Sequence, residues 1–357
     1  MGLLEYANFT VPDVVKKSIP GFYAKDPLLE ALRTKNKVIR SGGTNVRVPR
    51  IKSGHSDITE LNGSNLEIPL AKKETFDFVF GDWARFVKPI ILPHIDRDRL
   101  QNNEDKKRWV NDTTSAVMQS FHNAVSRQIY VGDVGNLTGL GTLNGFQTGL
   151  SSSGFQNGAL QFQTPATQST QYMNLTRRQD TVNDEDNWHN QFLEHTGFSS
   201  NYLTKAEELK ITADSYAEDS EGISIAVTSI ANHVAIGDAL RVYGTNQGIM
   251  YRPEDLEAGK AHKTIFVING VKYFSNRFMT DARIRAVSGG AVTQEDYVYL
   301  LNPNGIQYYV NAGNDFRVTK FTDHTMHGNM DADVAYVFLE SQLAVQNPLI
   351  QACSCQL

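Results

Sequence analysis

Apolar and polar positions alternate on both sides of the dipeptide Asn62-Gly63. Before it, Val46 and Val48 are interleaved with Asn45, Arg47 and Pro49. After it come Leu66, Ile68 and Leu70, then Phe76, Phe78 and Phe80 alternating with Thr75, Asp77 and Val79. Period-two patterning around a type I′ turn pair predicts one long β-hairpin from Lys37 to Phe80. Its arms of roughly 17 to 19 residues would reach about 55 to 60 Å at about 3.3 Å per residue. An isolated two-stranded ribbon is marginal in water. A hairpin of this length therefore predicts burial against another copy of the chain.

The flanking patterns are different. Residues 1–36 hold Pro12, Pro20 and Pro27 with one short helical candidate, Leu28 to Arg33, and read as an extended N-terminal arm. Trp83 to Ile95 is a nearly continuous apolar run broken by prolines. From Arg99 or Asn102 to Tyr130 the apolar residues Trp109, Val110, Ala116, Val117, Phe121, Ala124, Val125 and Ile129 recur at helical spacing. This predicts an amphipathic helix of about seven turns and about 40 Å, with Asp98 or Asn102 as its cap and Gly132 beyond its end. A glycine-rich loop follows over Gly132 to Gly158, and a further helix is expected over Asn183 to His195. Leu209 to Ile268 reads as short strands, including Val234 to Asp238 and Leu240 to Tyr243, which suggests a small β-barrel or sandwich. Asp296 to Leu301, Gly305 to Val310, Phe316 to Phe321 and Val334 to Val345 return as strands. The fold class is α+β with β dominant.

At 357 residues with 40% apolar positions the chain can bury a sizeable core. No stretch is long and apolar enough to predict a membrane span, and Glu5 and Asn8 interrupt any secretory signal. The net charge of −5 argues against a generally basic nucleic-acid binder. Arg33 to Lys52 is nevertheless basic without an acidic residue, fitting either a polyanion or acidic neighbour, or an ordinary solvated strand face. The two cysteines, Cys353 and Cys355, fit a reducing cytoplasm and read as tail thiols with no set role.

Candidate chemistry is sparse. Gly132 to Gly145 follows a helix and lacks a Gly-Lys-Ser/Thr end, so it is no phosphate cradle. Asp180, Asp184, Glu185 and Asp186 miss the calcium-loop spacing and read as a solvated acidic loop. His324 and His327, beside Asp323 and Asp331, would share a face if helical, but Gly328 and the nearby strand pattern favour a turn. No nucleophile elbow occurs. The expectation is a protein without catalytic residues, cofactor or metal.

Taken in order, the proline-bearing arm, the long hairpin, the transition WARFVKPIILPHIDRD, the long helix ending SRQIYVGD and the loop GNLTGLGTLNG resemble the HK97-fold major capsid proteins of tailed bacteriophages. The terminal segment ADVAYVFLESQLAVQNPLIQA is similar to that family's closing strand. The resemblance implies an N-terminal arm over 1–36, an extended loop over 37–81, and a peripheral domain with a spine helix over 82–131. It further implies a glycine-rich loop and axial domain over 132–210 and 269–330, and a C-terminal return over 331–357. The intervening 211–268 is similar to the inserted small β domain of some short-tailed phage coat proteins.

What the resemblance implies functionally is a virion shell of hexamers and pentamers, assembled in a bacterial cytoplasm and enclosing double-stranded DNA held by non-specific contacts. The implied partners are copies of itself, a separate scaffolding protein, a portal and a decoration protein, with no membrane. Asn62, Gly63, Arg47, Arg50, Lys52, Phe76 and Phe78 become inter-subunit contact candidates, and Gly42, Gly43 and Gly81 hinge candidates. An isopeptide crosslink of the kind one such phage uses would draw on Lys52, Lys72 or Lys73 with Asn347. An encapsulin-like compartment, or a β-rich decoration or receptor-binding protein, is the alternative.

Overall fold

The computed structural model describes residues 2–51, 76–131, 171–172, 175–176, 190–195, 200–217, 221–243, 266–277, 297–323 and 331–356. The chain opens with helices α1 (Leu3–Ala24) and α2 (Pro27–Thr34), then strands β1 (Val38–Ser41), β2 (Asn45–Ile51), β3 (Phe76–Asp82) and β4 (Ala84–Pro93). Helices α3 (His94–Arg99) and α4 (Asn103–Val131) follow, then strands β5 (Gln171–Tyr172), β6 (Leu175–Thr176) and β7 (Gln191–His195). Helix α5 (Ser200–Ser215), strand β8 (Ile225–Thr228) and helix α6 (Ile230–Tyr243) come next. The remaining strands are β9 (Phe266–Ile268), β10 (Val271–Ser275), β11 (Tyr297–Leu301), β12 (Ile306–Asn311), β13 (Arg317–Val318), β14 (Thr322–Asp323), β15 (Ala332–Val345) and β16 (Ala352–Gln356).

Two six-stranded sheets organise these elements. In the first, β15 is central. One of its edges carries β4 in an antiparallel ladder from Ala332↔Pro93 to Ser341↔Ala84, and the other carries β12, β13 and β14 in turn. The second sheet runs β7-β16-β11-β8-β10-β9. Its alternate side chains serve two cores. Ile225, Val227, Tyr299, Leu301 and Cys353 join the main core with α1, α2, α4 and the first sheet. Ala226, Val298, Leu300 and Ala352 face a second cluster that includes Tyr202, Ala206 and Leu209 of α5 and Ile236 and Leu240 of α6. Period two lets a strand line two cores at once.

Residues 1–36 correct the expected extended arm. Leu3, Ala7, Val11, Val15 and Phe22 form a buried helical stripe on α1, which lies along α4. Burying Leu3, Val11, Val15 and Phe22 contributes on the order of 6–12 kcal/mol, against about 3 kcal/mol for each of the interior prolines Pro12 and Pro20. The tertiary term prevails over the local one. The long helix appears as expected, with Asn102 Oδ1 accepting from the Glu104 amide at 3.4 Å.

The expected β domain over 211–268 is likewise corrected among the described residues. Val234 to Asp238 and Leu240 to Tyr243 belong to one helix, α6, whose buried Asn232, His233, Ile236 and Leu240 follow helical spacing. Ser229 Oγ accepts from the Asn232 amide at 3.2 Å and caps it. The strand β8 is no part of an insertion, because it sits between β11 and β10 inside the second sheet. Leu209 to Ser215 closes helix α5 rather than opening a strand. The described end of the helix expected over Asn183 to His195 is the strand β7, which takes its register from β16. Of Phe316 to Phe321, only Arg317–Val318 is strand. Cys353 is a free thiol buried in the core on an interior strand rather than on an exposed tail, so burial withholds it from any neighbouring subunit.

Asp26 joins the three helices of the main core. Its Oδ1 caps α2 by accepting from the Leu28 and Leu29 amides at 3.0 and 3.4 Å. It also accepts from the Tyr130 hydroxyl at 3.0 Å, while Oδ2 accepts from Ser126 Oγ, both on α4. Burial, then the Asp26 charge, pushes the Tyr130 phenol well above its ordinary range, so it remains a donor. Asp26→Ala removes a cap and leaves a buried hydroxyl without its acceptor. It should lower the urea-unfolding free energy by about 2–4 kcal/mol, with Asp26→Asn, which still caps, losing less.

Candidate assembly interface

The ribbon predicted from Asn62-Gly63 is present at its base but does not begin at Lys37, because Val38–Ser41 is β1, paired in parallel with β12 in the first sheet. β2 and β3 pair antiparallel from Asn45↔Asp82 to Ile51↔Phe76. Alternation splits the ribbon between two environments. Val46 and Val48 are fully buried in the main core. Arg47 lies on the other face, where its guanidinium stands over the Phe80 ring at 5.4 Å. Phe78 and Phe80 are 54% and 38% exposed, so this apolar face is only partly covered by the described residues. Arg50 is in register with Asp77 and Phe76 with Ile51. Lys52, Asn62 and Gly63 lie outside the described residues, as do Lys72 and Lys73.

The base is tied to the body of the protein. The Trp83 indole N–H donates to Gly43 O at 3.0 Å, and Gln342 Nε2 of β15 donates to Asp82 O at 2.5 Å. Gly43 sits at φ +110, which side chains rarely adopt, whereas a Cβ at Gly42 would meet nothing within 4 Å. Gly81 is buried within β3 opposite Val46.

An exposed apolar stripe that the sequence reading had treated only as a transition continues from the ribbon. Val87 and Ile91 project from the outer face of β4, and Ile95 follows on α3; all three are exposed. Among the described residues β4 pairs only with β15, leaving its other edge open, with Pro89 and Pro93 along the strand.

The basic stretch is answered in part from within the chain. Lys35 pairs with Glu221, and Arg40 pairs with Asp315 at 2.8 Å. The Arg33 guanidinium donates to Pro20 O at 3.2 Å. The hydrogen bond from Lys35, then one from Asn304, holds the Glu221 carboxyl below its usual range. Among the described residues, two cations of this surface, Lys35 and Arg40, thus have acidic partners.

His324, His327 and the acidic loop Asp180 to Asp186 lie outside the described residues. Asp323 and Asp331, which flank the two histidines, converge with Asp333 on His94 instead. His94 ends the apolar run from Trp83, and nothing in local spacing singles it out.

No family model matches the chain, and no curated protein matches it by sequence. Solved structures do match in fold. The capsid asymmetric unit of cyanophage A-1(L) aligns with TM-score 0.55 and 11% identity over 90% of both chains. The capsid of the native GTA particle aligns at 0.52 and 12% identity, covering 91% of this chain and 89% of that one. The holo-SrpI encapsulin complex from Synechococcus elongatus aligns at 0.51 and 11% identity, covering 93% and 88%. The fold of this chain is the HK97-type capsid fold, as the order of elements in the sequence implied.

The two glycines at the base should respond differently to substitution. Gly43→Val forces a branched side chain into a left-handed backbone and should cost about 2 kcal/mol or more, while Gly42→Val should stay within about 1 kcal/mol. Paired urea-unfolding curves check this.

Proposed function

We propose that this chain is the major capsid protein of a tailed bacteriophage, assembling as hexamers and pentamers into an icosahedral shell around double-stranded DNA. The observation that carries the reading is the β2–β3 ribbon. One face is anchored in its own subunit through Val46 and Val48, and on the other Phe78 and Phe80 are 54% and 38% exposed. On an HK97-type fold, a sister molecule laid against that face supplies the missing cover. The stripe Val87, Ile91 and Ile95 extends the same contact along β4 and α3. Interfaces of about 1,000–2,000 Å², repeated by symmetry, make such a shell stable although each one is modest. The role is structural, with no catalytic step. Scaffolding, portal and decoration proteins are the expected partners, and packaged DNA is held by non-specific contacts.

A second reading has a specific basis, because the encapsulin complex matches nearly as well as the two capsids. In that case the shell would enclose cargo protein. The contents of particles purified after expression with the neighbouring genes discriminate the two. Nuclease-resistant double-stranded DNA supports the capsid reading, and a stoichiometric protein cargo without DNA supports the compartment.

The interface itself is tested by replacing Phe78 and Phe80 together with aspartate. Shell yield by sedimentation and negative-stain microscopy should fall at least tenfold, because a charge buried in an apolar contact is strongly unfavourable. The urea midpoint of the subunit should barely move, since both rings are substantially exposed in it. Normal shells from this variant would count against the ribbon as the contact.

A further inference from the structure

At the end of the β4–β15 ladder remote from the ribbon, four side chains from three segments meet. His94 begins α3, Asp323 ends β14, and Asp331 and Asp333 stand at the start of β15. Asp323 and Asp333 are directly opposed in the β14–β15 register, an arrangement in which like charges repel. Asp333 is almost wholly buried, its side chain 4% exposed. Arg97 reaches one of its oxygens, Oδ2, at 3.2 Å, and also approaches Asp98 at 3.5 Å. Its guanidinium thus reaches two of the neighbouring carboxylates, those of Asp98 and Asp333.

The imidazole completes the pattern. His94 Nδ1 lies 2.6 Å from Asp331 Oδ1, and because a carboxylate only accepts, Nδ1 carries the proton. With no second proton on the ring, Nε2 presents a lone pair. That nitrogen is buried and makes no hydrogen bond among the described residues. It faces Asp333 Oδ1 at 3.5 Å and Asp323 Oδ1 at 4.0 Å, both too long for a hydrogen bond. The three electron-pair donors lie within 4.8 Å of one another. Around an ion bound at about 2.0–2.1 Å, tetrahedral ligands stand about 3.4 Å apart, close to the shorter of these separations.

We propose that His94 Nε2, Asp323 and Asp333 form a binding site for a divalent first-row metal ion of the zinc class, with Asp331 as the positioning residue that orients the imidazole. One nitrogen and two carboxylate oxygens suit zinc better than calcium or magnesium, which take oxygen ligands throughout. Asp331 on Nδ1 supplies the outer hydrogen bond that histidine ligands characteristically make, and Arg97 holds the second oxygen of Asp333. Three protein ligands leave a fourth position open. The ion would join β14, β15 and α3, relieving the Asp323–Asp333 repulsion. The assignment is independent of the shell reading, since every ligand comes from one chain.

The test uses the full chain in whatever assembly state it purifies, stripped with chelator that is then removed, and titrated with zinc chloride by calorimetry. One ion per chain is expected. Asp323→Asn, an exposed substitution that leaves the main core untouched, should weaken binding at least tenfold, and His94→Ala should abolish it. Asp331→Asn should weaken it by about 10- to 100-fold without changing the stoichiometry. Cobalt(II) in place of zinc should give the intense visible bands of a tetrahedral site, lost in His94→Ala. Absence of a one-to-one heat would overturn the assignment. So would unchanged affinity in His94→Ala and Asp323→Asn, or binding that disappears only in a His324→Ala, His327→Ala double variant.

Discussion

The ten-residue antiparallel ladder between β4 and β15 is the constraint on which the molecule's geometry depends. Its register is unbroken from Ala332↔Pro93 to Ser341↔Ala84. At about 3.3 Å per residue it holds its two ends about 30 Å apart. At one end the chain turns through Trp83 into the ribbon, and Gln342 secures the exit by its bond to Asp82 O. At the other end the same ladder brings His94 beside Asp331 and Asp333. A one-residue slip would turn buried Phe86, Ile90 and Leu92 outward and exchange them for Arg85, Val87 and Ile91, so burial fixes the register strongly.

The second sheet is tied to this frame by sharing a core with it. Ile225, Val227, Tyr299, Leu301 and Cys353 contribute to the cluster built by α1, α4 and the first sheet, and the residues between them serve α5 and α6. Strand β16, from the end of the chain, enters between β7 and β11 and completes that sheet. Neither half therefore possesses an independent apolar core on both faces. Aromatic contacts join the first sheet to the helices, where Phe316, just before β13, meets Phe22 of α1 and Phe121 of α4 edge to face with ring centroids 5.1 and 5.6 Å apart. Such pairs add about 0.5–1.5 kcal/mol each beyond their burial.

The parts legible in the sequence are those whose apolar period is long and locally complete. The ribbon base and α4 announce themselves this way, because each buries one regular face, whereas β11, β12 and β15 are buried on both faces and show as short apolar-rich runs. The errors share a different cause. In α1 the prolines were read for their local cost, whereas the stripe Leu3, Ala7, Val11, Val15 rests on α4 and outweighs it. In α6 the β-branched Val234 and Ile236 suggested strand over five residues, although Asn232, Ile236 and Leu240 follow a helical period over the whole segment. For β7 no local pattern sufficed, since its pairing comes from a strand about 160 residues later. The His94 cluster was hidden for the same reason: its members become neighbours only through the β4–β15 and β14–β15 ladders. Sequence proximity had drawn attention to His324 and His327 instead.

On the proposed capsid reading, the ribbon rooted between Gly43 and Trp83 finds its remaining cover on a sister molecule. A cryo-electron-microscopy map of the assembled protein at side-chain resolution tests it most directly. Continuous ribbon density should lie across the adjacent subunit, with Phe78 and Phe80 enclosed between the two chains at every symmetry-related position. A ribbon folded back on its own subunit, or particles whose lateral contacts leave both rings in solvent, would contradict it.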